Sequence, residues 1–209
     1  YRLAEGRQPR DTVPPNMTQD EAVEAVRNDM QELNQYVMEA LTKYDVSAVS
    51  LPPHLWARNT GPNFEGELKM FEAAPRGIVV VTHGDVVECD MPGEFGILSG
   101  DDLVYRLATE LSGVQRLVFA MGGVEGVLSE PPNGVNDASK LIETMRIEDR
   151  YEGQHMSQID VTGGIGLKVE RGFQTVAHGV EVHLVSGEIE ARVRDACLGH
   201  EVRGTILVP

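Results

Sequence analysis

Residues 78–102 read IVVVTHGDVVECDMPGEFGILSGDD, and this stretch decides the fold class. It opens with a dense β-branched run, Ile78–Val81, of the kind that fills a strand buried on both faces of a sheet. The run ends in His83-Gly84-Asp85. Residues 86–98 then predict a hairpin turning near Pro92-Gly93. Ser99-Gly100-Asp101-Asp102 follows and opens a helix predicted over about 101–112, which Ser99 or Asp101 can cap.

The same alternation continues outward in both directions. Upstream, Thr18 and Glu21 form a capping-box pattern. Behind it Ala22, Val26, Met30, Leu33, Val37, Ala40, Leu41 and Tyr44 recur at helical spacing, which predicts a long amphipathic helix over about 19–43. Its apolar stripe reads first as ordinary core packing, with part of it available to a dimer interface. Val46–Ser50 is a short β-rich segment closed by Pro52 and Pro53, and residues 1–17 read as a loop or broken end. Downstream, a strand is expected at 116–120, and loops with a short helix near 138–146. A helix over about 164–178 stopped by Gly179 and a strand at 181–185 come next. A helix at about 188–197 stopped by Gly199 and a closing strand at 205–208 complete the chain. Strands alternating with helices of this length indicate an α/β fold with a mainly parallel sheet covered on both faces. Ligands of such sheets bind beyond the carboxyl ends of the strands, where the glycine-rich triplets fall.

Composition narrows the function. A chain of 209 residues with a 41% hydrophobic fraction suffices for one α/β domain. The formal net charge of -15 argues against nucleic-acid binding, which needs clustered Lys and Arg, and reads as a solubility feature. No run approaches the roughly 18 apolar residues of a membrane span. Cys89 and Cys197 fit no metal spacing and read as free thiols, which favours the cytoplasm.

Three motifs can carry chemistry. In His83-Gly84-Asp85 the glycine lets a ligand approach the backbone, but a tight turn between strands explains it equally well. Ser99-Gly100-Asp101-Asp102 is either a helix cap or a phosphate-facing turn in which Gly100 exposes amides. Val161-Thr162-Gly163-Gly164-Ile165-Gly166-Leu167-Lys168 places small residues at a helix start and a lysine about one turn inside it. Unpaired amides and the positive end of the dipole suit an anion there, although a flexible loop remains the alternative. It is not a Walker loop, since Gly-Lys-Thr is absent.

In order and spacing, HGD, the hairpin, ILSGDD and VTGG with its downstream lysine resemble the isopentenyl phosphate kinases of the amino-acid kinase family. Arg27, Met30 and Leu33-Asn34 on the long helix match too, as do Leu198-Gly199 and Arg203-Gly204-Thr205, so the resemblance covers about residues 17–209. It implies a three-layer αβα sandwich with a mainly parallel central sheet, in a single domain over 1–209 that lacks its first strands. The implied reaction is transfer of a phosphoryl group from ATP, with Mg²⁺, to isopentenyl phosphate. In that reading Lys168 neutralises the transferring group and touches the nucleotide, and Asp101 orients lysines. Gly100, His83 and Gly84 border the acceptor, while Gly163, Gly164 and Gly126 border the nucleotide. The implied protein is a cytoplasmic homodimer with a small isoprenoid phosphate as partner, bound to neither nucleic acid nor membrane. A fosfomycin-type phosphonate kinase and a non-catalytic phosphate- or nucleotide-binding relative are the alternatives.

Two departures from the family pattern stand out. The usual Thr-Asp-Val-Asp-Gly turn is replaced by Ala120-Met121-Gly122-Gly123-Val124-Glu125-Gly126-Val127, with one extra residue and Glu125 in place of the second Asp. The Lys-x-Gly-Gly-Ser strand and the Gly-Gly-Gly-x-Phe-Gly-His loop of the family are not in this sequence. The expectation is therefore a piece of a longer reading frame, with little activity by itself.

Overall fold

The computed structural model describes residues 17–90, 94–130, 140–149 and 165–209. They form two compact units, the first running to Ser112 and the second beginning at Gly113.

The first unit opens with α1 (Gln19–Lys43), whose capping box is fully formed. Thr18 Oγ1 accepts the Glu21 amide at 3.3 Å, and the Thr18 amide donates to Glu21 Oε2 at 2.7 Å. Ala22, Val23 and Met30 are buried, but Leu33, Tyr36, Val37 and Tyr44 are exposed. The expected stripe of core packing thus holds only for the first half of the helix. Beyond Met30 the apolar face is only partly covered: Met38 and Leu41 are half-buried, and α1 touches β1.

β1 (Ala48–Ser50) pairs in parallel with β4 (Val79–Val81) as a two-stranded sheet. The expectation that β4 is buried on both faces is not met, since Val79 is 42% exposed. Two strands give each other one neighbour only, and a β-branched run is covered on both faces only inside a wider sheet. Between them lie a short 3₁₀ turn (Pro53–Leu55), the small ribbon of β2 (Ala57–Arg58) and β3 (Glu65–Gly66), and α2 (Lys69–Glu72). β5 (Asp85–Glu88) and β6 (Phe95–Leu98) form the predicted hairpin, pairing Asp85 with Leu98 and Glu88 with Phe95. Its expected turn at Pro92-Gly93 lies outside the described residues. α3 (Gly100–Glu110) follows with Ser99 as its cap, the first of the two expected candidates. Phe64, Leu68, Val87, Leu98 and Leu103 form the core of this unit, with Trp56 packed edge-on against Phe64 and Phe71.

The second unit is built on a four-stranded sheet in the order β7 (Arg116–Met121), β9 (Glu181–Ser186), β10 (Thr205–Val208), β8 (Thr144–Arg146). β7 runs parallel to β9 and β8 parallel to β10, whereas β9 and β10 are antiparallel. α4 (Ile165–Val176) and α5 (Arg192–Leu198) pack against this sheet. A Cβ on Gly172 of α4 would stand 2.5 Å from Leu207 and 3.3 Å from Val182. Gly199, which ends α5 with φ +76°, approaches Arg116 instead. Arg116 pairs with Glu181 and Leu117 with Val182, so Arg116 projects to the face opposite Val182. The two helices therefore cover opposite faces, which accounts for Val182, Leu184 and Val185 all having no exposed surface.

The short helix expected near 138–146 is corrected. Its described part holds the strand β8, and residues 138–139 lie outside the described residues. Glu143, Met145 and Arg146 suit a helix by propensity, but Leu207 offers Met145 a parallel partner, and the tertiary pairing prevails.

Candidate active site

In the first unit the two glycine triplets meet. Because Asp85 pairs with Leu98, the residue before β5 lies beside the residues after β6. A Cβ on Gly84 would stand 3.2 Å from both the Gly100 amide nitrogen and the Leu98 carbonyl oxygen. Glycine at 84 is thus what allows the two backbones to approach. A Cβ on Gly100 would meet only the Gly84 nitrogen, at an ordinary 3.8 Å. The protein's own packing leaves Gly100 free to be larger.

Beside this junction is a cleft of about 260 Å³. Gly84, Asp85, Ser99 and Gly100 give it a polar end, and Val26 and Met30 of α1 with Ile97 and Leu98 of β6 give it an apolar wall. The polar end includes the start of α3, an 11-residue helix whose first amides carry the positive end of the dipole. Ser99 Oγ accepts the Asp101 amide at 3.1 Å, and the Ser99 carbonyl accepts the Leu103 amide at 3.1 Å. Asp101 is half-buried and Asp102 buried in the same first turn. α1 is held over the cleft by Arg27. Its Nε and Nη2 donate to the Val86 carbonyl at 3.3 and 3.1 Å, and its guanidinium sits 5.7 Å from the Phe95 ring centre.

The two polar residues flanking Gly84 are already engaged. His83 Nδ1 stands 3.0 Å from the Gly84 carbonyl, which fixes Nδ1 as the protonated nitrogen, since a carbonyl only accepts. Asp85 has a fully buried side chain. Its Oδ1 accepts the Val86 amide at 2.8 Å, and its Oδ2 accepts the His54 amide at 3.2 Å and faces His54 Nδ1 at 2.6 Å. His54 was not singled out by sequence, because Leu51-Pro52-Pro53-His54 reads as a loop and its partner lies 31 residues away.

In the second unit Lys168 is the fourth residue of α4 and partly buried. Gly163 and Gly164, expected beside the nucleotide, lie outside the described residues. Gly126 is described and closely packed. A Cβ there would stand 2.6 Å from Thr205 Oγ1 and 2.9 Å from the Thr205 nitrogen. The Thr205 hydroxyl in turn accepts the Val127 amide at 2.8 Å and donates to the Ile142 carbonyl at 2.6 Å.

The altered turn before Gly126 is clamped by charge. Glu125 Oε2 accepts Arg203 Nε at 2.7 Å, and Oε1 lies 2.9 Å from Arg192 Nη1. Burial opposes ionisation of Glu125, but the hydrogen bonds from Arg203 and Arg192 outweigh it and hold the carboxyl below its ordinary value. Glu188 Oε1 accepts the Gly123 amide at 3.1 Å and ties down the other side of the turn. Arg203 also lines a cleft of about 490 Å³ with Glu143, Thr144 and Glu201. Among the described residues no three His, Cys, Asp or Glu side chains are grouped to hold a metal ion, and no helix is long and apolar enough to cross a membrane.

Known proteins fit these parts. The Amino acid kinase family model matches residues 2–186. The isopentenyl phosphate kinase of Haloferax volcanii is 31% identical over 185 residues, 87% of this chain and 70% of that protein. That of Methanothermobacter thermautotrophicus is 29% identical over 182 residues, 86% of this chain and 68% of that protein. The chain therefore spans roughly two thirds of the length of these relatives. Among solved structures, the product complex of T. acidophilum isopentenyl phosphate kinase superimposes with a TM-score of 0.69 at 22% identity, covering 99% of this chain and 76% of that one. This likeness shows the α/β fold, while the family model and the 31% identical relative lead to one assignment: the chain belongs to the amino acid kinase family.

Proposed function

We propose that the protein transfers the terminal phosphoryl group of ATP to isopentenyl phosphate, giving isopentenyl diphosphate and ADP. The observation that carries this reading is the two-sided cleft of the first unit, with Gly84, Asp85, Ser99 and Gly100 at one end and an apolar wall at the other. A phosphate suits the amides of Gly100 and the start of α3. A five-carbon hydrocarbon tail suits Val26, Met30 and Ile97, where burial yields about 25 cal/mol per Å². A small polar phosphonate has no use for that wall.

In the reaction an oxygen of the acceptor phosphate attacks the terminal phosphorus of ATP. The bond to the bridging oxygen breaks, and ADP leaves with the electron pair. Such transfers depend on positioning and charge neutralisation more than on covalent chemistry. In this reading Lys168 places a positive charge on the nucleotide side, and Asp101 orients cationic groups. Gly100 presents its amide to the acceptor phosphate, with His83 and Gly84 shaping the same end. Gly163 and Gly164 border the ATP phosphates, and Gly126 fixes the neighbouring turn through Thr205. Mg²⁺, carried by the nucleotide, would supply neutralisation of phosphate charge. The reading extends to a cytoplasmic homodimer, to be checked by sedimentation.

The test is ADP release with isopentenyl phosphate by the product of the whole gene, with fosfomycin offered in parallel. Turnover with isopentenyl phosphate is expected. Preference for fosfomycin would give the phosphonate reading, and ATP binding without turnover of either would give the non-catalytic one.

A further inference from the structure

The cleft in the first unit has a support that the motifs do not name. His54 reaches from the 3₁₀ turn Pro53–Leu55 to Asp85, with Nδ1 2.6 Å from Oδ2 and its own amide 3.2 Å from the same oxygen. The Asp85 side chain has no exposed surface, whereas that of His54 is 29% exposed. A carboxylate accepts and does not donate, so the proton sits on Nδ1. Burying a carboxylate is costly unless donors surround it, and two of the donors to Asp85 come from His54. Asp85 is also the residue next to Gly84, whose backbone lies against the Gly100 amide.

We propose that His54 is a positioning residue: through its Nδ1–H···Oδ2 bond it fixes Asp85, and through Asp85 it holds the Gly84 backbone against the first amide of α3. The identity of the acceptor rests on the function proposed above, but the positioning role does not.

Three variants separate this from a merely structural histidine. His54→Asn puts a side-chain N–H where Nδ1–H stands, His54→Gln puts one where Nε2 stands, and His54→Ala has none. With isopentenyl phosphate and ATP, the Ala and Gln variants are expected to raise KM for isopentenyl phosphate by ~10-fold, the scale of one lost hydrogen bond to a charged group. KM for ATP should stay within about twofold, and Asn should restore the acceptor KM, since only the geometry of one end has moved. Amide hydrogen exchange at Gly84 and Gly100, followed by NMR without substrate, should rise by ~10-fold in the Ala and Gln variants and return in Asn.

Unchanged exchange at Gly84 in the Gln variant overturns the proposal whatever the kinetics, as does rescue by Gln rather than Asn. An unchanged acceptor KM in an active Gln variant does the same. If His54→Ala does not fold, the Gln and Asn pair still decides the question. If the parent protein turns over no isopentenyl phosphate while the exchange pattern appears, the functional reading falls and the positioning role stands.

Discussion

The glycine-rich turns of the two units look alike in sequence and are built differently. In the first unit Gly84 is required by the neighbouring backbone, but Gly100 is not, and the space beside it opens into a cleft. In the second unit Gly126 is closed in by Thr205, and the turn before it is held by Glu125, Arg192, Arg203 and Glu188. A glycine that the protein's own atoms demand is explained by folding. One they do not demand is left to a ligand. In the proposed reaction Gly100, which also lines the cleft, is the glycine that faces a ligand, whereas Gly126 is held by the protein's own packing against Thr205. In the proposed reaction the cation on the nucleotide side is Lys168, on a helix rather than on a turn.

The largest expected effect follows from that last point. Lys168→Ala should lower kcat by about 10²–10³-fold, the usual cost of removing one preorganised charge-stabilising group. The melting temperature should barely move, because the side chain is only partly buried. A kcat within tenfold of the parent would return the nucleotide-side role to the turn at 121–126.

Next comes the comparison of the glycines themselves. Gly126→Ala forces a methyl group to within 2.6 Å of Thr205 Oγ1 and should destabilise by about 1–3 kcal/mol, read from urea unfolding. Gly100→Ala should leave stability within about 0.5 kcal/mol, since it meets nothing closer than 3.8 Å. It should nevertheless raise KM for isopentenyl phosphate by ~10-fold by crowding the approach to the amide. If Gly100→Ala unfolds the protein while Gly126→Ala does not, the distinction between the two turns is reversed.

What could be read from the sequence divides along the range of the interaction. The start of α1 was legible because Thr18 and Glu21 stand three residues apart and settle the cap between themselves. α3, α4, β9 and β10 were legible for similar reasons of local period and punctuation. β8 was not, because a three-residue strand exists only through its pairing with β10, about 60 residues downstream. The site shows the same pattern. Both glycine triplets were readable as turns, but their contact depends on the register of β5 against β6. The two residues that lock the turns, His54 and Arg203, act on partners 31 and 78 residues away in sequence. No composition or spacing signals such pairs. The alternation of apolar residues on α1 marks a helix but not the point, after Met30, beyond which none of its residues is fully buried.

The smallest expected effect concerns the clamp that makes the second turn rigid. The folded protein holds the Glu125 carboxyl below its ordinary value of 4.5, through Arg203 and Arg192 against the opposing effect of burial. A group whose folded value is depressed contributes stability that is present above its unfolded value and is lost as pH falls through the folded one. Glu125→Gln keeps the shape and an acceptor oxygen but has no charge to lose. The stability gap between parent and variant should therefore be full at neutral pH and narrow progressively below about pH 4.5. The other carboxylates held low, Glu21, Glu72 and Glu110, are common to both proteins and cancel in the difference. Urea midpoints for the pair at pH 7 and at about pH 3.5 make the comparison. A gap that is constant with pH would mean that the arginines hold Glu125 by shape rather than charge, and the second turn would then owe its rigidity to Thr205 and Glu188.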